Sequence, residues 1–392
     1  MSGRAVIKFG GADLSTGERI REAAKMVVES GYQESVVVVS AMGKTTDSLV
    51  EALAHMNVSA RDYAEILSMG ERTSARVFCS ALKALGANAV YFDPSQKNWP
   101  IITDSNFADA RPDVKKTKMR VRKYLEPILG EVIPVVCGFL GRDEQGNVTT
   151  LGRGGSDTTA LLLANCLEAD EVILVKDTVG VLSADPETVP DAKAFDKLDI
   201  HGMFALAHGG AKIVRPEALR YKLPNQKLRI ASFSSKNLAE GGTEITGVFS
   251  PNSAETGWYE GLTAVTVVGE IDSEKLSELF STLRGETIRG ISTGKKSVTI
   301  FANLRDVKET VNRLHSLGCF KAVSFRDEVG MIEVTHPVFV DSPGWVAKIT
   351  NMLASKGINL IEVTTGKATI NLFIDEKSLK DAVKAVGEVL ET

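Results

Sequence analysis

A run of four valines, Val36-Val37-Val38-Val39, closed by Ser40, constrains this chain more than any other feature. A strand with one wet face alternates apolar and polar residues, because successive side chains point to opposite faces. A strand apolar on both faces belongs in the middle of a parallel sheet with helices on either side. The first half of the chain repeats the theme. Residues 5–9 read as a strand ending in Gly10-Gly11, 18–29 have helical spacing up to Gly31, and 62–85 read as a long helix closed by Gly86. Residues 89–92, 132–136 and 172–175 supply further strands. The alternation predicts an α/β fold built on an open, mostly parallel sheet sandwiched by helices. A helix is expected over 156–166, with Ser156-Asp157 capping its free N–H groups.

At 392 residues the chain is too long for one ordinary core, so two or three domains are expected. Composition shifts to Gly, Ser, Thr, Pro and Asn over 241–257, which reads as a linker. Beyond it the spacing predicts a strand over 264–268, a helix over 273–283, a strand over 297–301 and a helix over 307–317. A second set follows: a strand over 332–340, a helix over 343–355, strands over 360–363 and 369–374, and a helix over 376–388. Two units of about 65 residues with this order look like ferredoxin-like βαββαβ modules in tandem. The expected division is 1–250, 258–328 and 329–392.

Composition narrows the function. Apolar residues make up 43% and charged residues 24%, and the formal net charge of −4 carries no basic cluster, which argues against nucleic acid as a partner. Cys79, Cys137, Cys166 and Cys319 form no CxxC or Cys/His pattern, so they read as small buried hydrophobes in a reducing compartment. No apolar run approaches the ~20 residues of a membrane span. With no signal segment at the start, the expected address is cytoplasmic.

Three segments carry chemistry. Ser40-Ala41-Met42-Gly43-Lys44-Thr45-Thr46 ends a strand with Gly-Lys-Thr, but a phosphate-binding P-loop needs a glycine where Val38 stands. What remains is a polar strand-end loop, a common ligand site in open α/β sheets. Lys8-Phe9-Gly10-Gly11 sets a lysine before two glycines whose N–H groups could approach an anion. Taken alone it reads equally well as a tight turn with a surface lysine. The third segment, Thr149-Thr150-Leu151-Gly152-Arg153-Gly154-Gly155-Ser156-Asp157-Thr158-Thr159-Ala160, is the most specific. An arginine fork suits a carboxylate, and the start of a helix favours negative charge.

Segments 8–11, 40–47, 70–75, 138–141, 150–160, 177–186 and 210–216 occur in the order seen in aspartate kinases, and the chain resembles that family over nearly its whole length. The resemblance implies an amino-acid kinase domain followed by two ACT modules, with ATP and Mg²⁺ used to phosphorylate the β-carboxylate of L-aspartate, the first step towards lysine, threonine and methionine. It implies that Lys8 bridges the transferring phosphoryl group and that Lys212 neutralises the ATP phosphates. Arg153 would grip the substrate α-carboxylate and Glu71 its α-ammonium, with Ser40, Thr46, Phe139 and Ser156 lining the pocket. Asp157 would hold the substrate amine or the lysine. Gly10, Gly11, Lys176, Asp177 and Asp185 would border the nucleotide, whose phosphates would carry the Mg²⁺ without protein ligands. Alone, Glu71 would read as a charge on a solvated helix face beside Arg72 and Arg76.

The resemblance also implies a homodimer, and an amino-acid effector such as lysine or threonine at Asp341, Gly344 and Asn359 of the second module. There Asp341 or Ser342 is expected to cap a helix with Pro343 in its first turn, seated through Val346, Ile349 and Leu353. The first module, with Gly269-Glu270-Ile271-Asp272-Ser273 at the matching place, is expected to be structural. The family pattern is broken at Lys176, usually threonine, at Leu182, usually tyrosine, at Glu187, usually arginine, and at Ala12-Asp13, usually Thr-Ser. Two other readings stay open: a kinase of the same superfamily with another substrate, and a catalytically silent amino-acid sensor.

Overall fold

The computed structural model describes residues 3–390 apart from 236, 239, 250–254, 337 and 367. The chain forms two compact units, Met1–Pro251 and Asn252–Thr392. In chain order the first unit contains β1 (Arg4–Phe9), α1 (Gly17–Glu29), β2 (Glu34–Val39), α2 (Thr45–Leu53), α3 (Ala60–Ala84), β3 (Ala89–Phe92), α4 (Val114–Tyr124) and β4 (Ile133–Cys137). It continues with β5 (Leu140–Arg142), β6 (Val148–Thr150), α5 (Gly155–Leu167), β7 (Glu171–Lys176), β8 (Lys197–Asp199), α6 (Ile200–His208), β9 (Lys227–Ser232) and β10 (Thr243–Thr246).

Among the described residues these strands form an eight-stranded sheet in the order β3-β4-β2-β1-β7-β9-β10-β8, with β5 and β6 as a separate hairpin. Every pairing in the large sheet is parallel except β9 with β10. The four valines lie in β2, buried on both faces as their continuity requires. Twelve of the thirteen residues of α5 are buried, so it is a core helix, polar in its first turn and mostly apolar beyond it. Register aligns the strand ends: Phe9 pairs with Val39 and Val175, and Val39 pairs with Cys137. The loops after β1, β2, β4 and β7 therefore emerge side by side at the carboxyl edge, where open α/β sheets bind ligands.

The second unit contains β11 (Glu255–Val268), α7 (Ser273–Thr282), β12 (Thr287–Gly294), β13 (Ser297–Asn303), α8 (Val307–Ser316), β14 (Ala322–Thr335), α9 (Val338–Asp341), α10 (Trp345–Ser355), β15 (Leu360–Thr365), β16 (Thr369–Asp375) and α11 (Leu379–Leu390). Its described strands form one antiparallel sheet, β12-β13-β11-β14-β16-β15. The expected linker contains β10 and the start of β11. Residues 256–259 pair with 331–334, whereas 264–268 pair with 322–326. The last strand of the second βαββαβ module thus comes from ahead of the first module, and the expected 328/329 division falls inside β14. Register shifts at 259–264, with Gly261 at φ 68°, separate the two halves of β11. Phe301 on β13 and Phe373 on β16 are three strand spacings apart along the sheet, about 14 Å. Their rings nonetheless stack at 3.8 Å, so this face is strongly curled.

Three local expectations fail. The strand expected over 332–340 ends at Thr335, and Val338–Asp341 is helical. The following helix starts at Trp345, capped by Gly344 at φ 93° with no side-chain bond, in place of Asp341 or Ser342. Ile349 and Leu353 are buried, but Val346 is 40% exposed and Trp345 packs on the core in its stead.

Candidate active site

A cavity of about 1140 Å³ opens at the carboxyl edge of the parallel sheet. Lys8, Gly11, Ser40, Thr46, Glu71, Phe139, Arg153, Ser156, Asp157, Lys176 and Lys212 all line it. Eleven positions singled out from the sequence thus share one space, although they span more than 200 residues of chain.

Lys8 is the penultimate residue of β1 and Lys176 the last of β7, two paired strands that both pack against α5. Lys8 Nζ lies 2.8 Å from Asp157 Oδ1, and Lys176 Nζ lies 3.5 and 3.3 Å from Oδ1 and Oδ2. Burial alone would raise the Asp157 carboxyl, but Lys176 and Lys8 outweigh it and hold the group at about 2. Burial, reinforced by Lys8, lowers Lys176, and Asp157 opposes that only in part. Asp157 therefore does not cap α5 as expected. The N-cap is Gly154 with no side-chain bond, because two ammonium groups claim the carboxylate. The positive end of α5 is left facing an anion site.

Glu71 sits on α3, a helix expected to be solvated at this point, yet it is only 3% exposed. A Cβ on its neighbour Gly70 would lie 2.8 Å from Ala41 Cβ, so glycine brings α3 close against the loop after β2. Glu71 Oε1 accepts the Ala41 N–H at 3.0 Å, and Oε2 is buried without a hydrogen-bond partner among the described residues. Burial pushes this carboxyl up to about 7. An unpaired buried acceptor aimed at a cavity is a demand for a donor.

The glycine-rich loop is shaped by close approach. Gly152 and Gly154 both have φ 70°, and a Cβ on Gly154 would lie 2.9 Å from Arg215 Cβ. Arg215, overlooked in the sequence, latches this loop. It donates to Leu151 O, pairs with Asp109 Oδ1 at 3.3 Å and holds Glu217 Oε2 at 3.0 Å. Phe139 has φ 67°, a conformation costly for a side chain of this size, and donates its N–H to Thr159 Oγ1 at 3.1 Å. Arg153 and Lys212 are exposed on the lining.

The nucleotide-side expectations fare less well. Gly10 is not on the cavity lining, and its N–H, expected to meet an anion, donates to Asp13 Oδ2 at 2.7 Å. Asp13 is the second residue overlooked. It is 1% exposed, Oδ1 has no hydrogen bond among the described residues, and burial, against Gly10 N–H, lifts it to about 6. Arg19 lies 3.6 Å from Asp13 Oδ1 and 2.5 Å from Asp177 Oδ1, with its guanidinium over the Phe233 ring. Asp177 and Asp185 are exposed and do not line the cavity; Asp185 Oδ1 accepts the Glu187 N–H. A carboxylate three residues after Lys-Phe-Gly was the readable signal for Asp13.

The effector positions belong to the second unit. Gly344 precedes α10, Asn359 is exposed, and Asp341 ends α9 with its side chain outside what the structure describes. Among the described residues no three His, Cys, Asp or Glu side chains gather to hold a metal. No helix among them is long and apolar enough to cross a membrane.

The model of the amino acid kinase family matches residues 3–232. An aspartokinase of Corynebacterium glutamicum is 32% identical, over 98% of this chain and 95% of its own length. One from Bacillus sp. (strain MGA3) is 30% identical, over 99% and 97%. The crystal structure of aspartate kinase from Synechocystis superposes with a TM-score of 0.70 at 25% identity, covering 99% of this chain and 70% of that one. With the amino acid kinase match over most of the first unit and aspartokinase likeness along both units, the chain belongs to the aspartokinase family.

Proposed function

We propose that this chain transfers the terminal phosphoryl group of ATP to the β-carboxylate of L-aspartate, giving 4-phospho-L-aspartate and ADP. A β-carboxylate oxygen attacks the γ-phosphorus, the bond from that phosphorus to the β,γ-bridging oxygen breaks, and ADP leaves with the electron pair. The nucleophile, with an ordinary value of about 3.9, is already ionised at neutral pH, so no base is needed. What the protein must supply is position and charge.

One observation carries the reading: the cavity joins the Lys8–Asp157–Lys176 cluster to the unpaired oxygen of Glu71. Cations and the free end of α5 form a phosphate side. Glu71 and Arg153 form an amino-acid side, a buried anion for the α-ammonium and a fork for the α-carboxylate. Ser40, Thr46, Phe139 and Ser156 would then shape the pocket around the substrate side chain. Lys8 is assigned to the transferring phosphoryl group, Lys212 and Gly11 to the ATP phosphates, and Asp157 to orienting Lys8. Gly10, Asp177 and Asp185 are kept as border positions of the nucleotide only. Mg²⁺ fits this lining as an ion that arrives on the phosphates and keeps most of its waters, since the phosphate side offers mainly lysines. Bound there, it would neutralise charge on the phosphate oxygens.

Residues 1–250 form the catalytic domain in this reading, and two ACT modules follow, with 255–260 completing the second. The modules would bind an amino-acid effector such as lysine or threonine and join two chains into a cytoplasmic homodimer. The product would feed lysine, threonine and methionine synthesis.

Coupled ADP release with L-aspartate, L-glutamate or no amino acid tests the reading, with the acyl phosphate trapped as a hydroxamate. Aspartate-dependent release is expected. Release with glutamate alone would make it another kinase of the superfamily, and silence with all three would leave an amino-acid sensor.

A further inference from the structure

We propose that Lys176 is a second catalytic cation for the transferred phosphoryl group and that Asp13 is the positioning residue that lets it stand beside Lys8. The proposal rests on the phosphoryl-transfer reading and adds a residue to it. Both ammonium nitrogens lie within 3.5 Å of one oxygen, Asp157 Oδ1, which bounds their separation at the sum of two hydrogen-bond distances. Both side chains line the same cavity.

Donor counting points the same way. An ammonium carries three N–H donors. Among the described residues Lys8 Nζ and Lys176 Nζ meet the Asp157 carboxylate and no other acceptor. The remaining donors of two adjacent, largely buried cations meet no acceptor among the described residues, and a phosphoryl group offers three strong ones. The contact of Lys176 with Asp157 is also the longer, split over both oxygens at 3.5 and 3.3 Å, so this ammonium is the less committed of the two.

Two buried cations sharing one carboxylate repel each other, and the protein answers with a second carboxylate. Asp13 Oδ2 is fixed by the Gly10 N–H just beyond Lys8, and a Cβ on Gly10 would lie 3.2 Å from that oxygen and 3.7 Å from Lys8 Nζ, so this carboxylate stands close to the paired cations. Among the described residues its other oxygen accepts no hydrogen bond and faces only the looser ion pair with Arg19 at 3.6 Å. Arg19 and Asp177 complete the group, which holds three cations and three carboxylates: Lys8, Lys176 and Arg19 against Asp157, Asp13 and Asp177. As the phosphoryl group leaves ADP for aspartate, both ammonium groups can follow its oxygens without a proton moving.

The test uses the full chain and ADP release at saturating ATP over a range of L-aspartate concentrations, with K176M, K176R, D13S and D13S/K176T. K176M is expected to lower kcat at least tenfold and to leave aspartate KM within threefold, while K176R recovers most of kcat. D13S should also lower kcat without moving aspartate KM. The double variant should lose less than the product of the two single losses, because removing Lys176 relieves the repulsion that D13S exposes. A K176M enzyme with kcat within twofold of the parent overturns the proposal. So does a strictly multiplicative double variant, or a loss tracked by lower melting temperature that K176R does not rescue. Wild-type enzyme inactive with aspartate would refute the underlying function instead.

Discussion

Glu71 allows a prediction to be worked through from charge and burial. Desolvation holds its carboxyl at about 7, with one oxygen on Ala41 N–H and the other unpaired. At pH 7 the ligand-free protein therefore carries about half a proton there. If the α-ammonium of aspartate docks on Oε2, the carboxyl is driven well below its free value and the proton leaves on binding. The release should be ~0.9 proton at pH 6, ~0.5 at pH 7 and ~0.1 at pH 8. Titration calorimetry in buffers of different ionisation enthalpy reads this number as a slope. Glu71→Gln should flatten the slope and weaken aspartate at least tenfold, about 1.4 kcal/mol.

The same group makes a stability prediction of opposite sign. Its folded value lies above the ordinary 4.5, so its contribution is fully present below about 4.5 and is lost as pH rises through about 7. Above pH 8 the loss approaches ~3 kcal/mol, about 1.36 kcal/mol for each unit between the two values. Glu71→Gln keeps the acceptor for Ala41 N–H and resembles the protonated acid. It should resist urea better than the parent at pH 8, with the advantage closing towards pH 5. A binding enthalpy independent of buffer at pH 6, or a variant no more stable at pH 8, would refute the assignment.

Three further expectations concern other parts of the molecule. Arg153→Lys keeps the charge but loses the fork, so aspartate KM should rise at least tenfold, about 1.4 kcal/mol, with ATP KM nearly unmoved; equal rises would make Arg153 a loop residue. Gly154→Ala sets a side chain at φ 70° against Arg215, which should cost ~1–3 kcal/mol and loosen the loop at the start of α5, and an unchanged melting temperature would contradict this. Titration with lysine and threonine should find at most one effector site per chain, near Gly344 and Asn359. Two tight sites would show that the first module, whose Asp272 caps α7, is not merely structural.

What could be read from the sequence was whatever depends on short-range order. The valines of β2, the alternation of strands and helices, and the long α3 follow from periodicity and stop signals, and their observed ends differ by only one or two residues. The second module's missing strand was beyond that reach. Its partner lies about 75 residues away, and Gly257-Trp258-Tyr259 looks like the tail of a linker until it meets β14. The short β8 and β10 are set likewise by neighbours in the sheet.

The failures inside the site have one physical character. Ser156-Asp157 looks like a helix cap because a local bond from Asp157 to a backbone N–H is worth about 1 kcal/mol. Lys8 and Lys176 arrive from β1 and β7, and two charge-assisted contacts to a buried carboxylate outweigh that bond. Glu71 looks solvated beside two arginines, but those arginines turn to Asp93, and Gly70 draws the opposite side of the helix against Ala41. Asp13 looks like a polar turn residue, yet its carboxylate takes the N–H that seemed reserved for an anion. In each case a charged group that local rules assign to the surface or a cap is held inside, Asp157 and Glu71 by partners from other strands or loops and Asp13 by Gly10 of its own loop. A natural sequence breaks its local rules where burial of charge serves chemistry, and here those breaks converge on a single cavity.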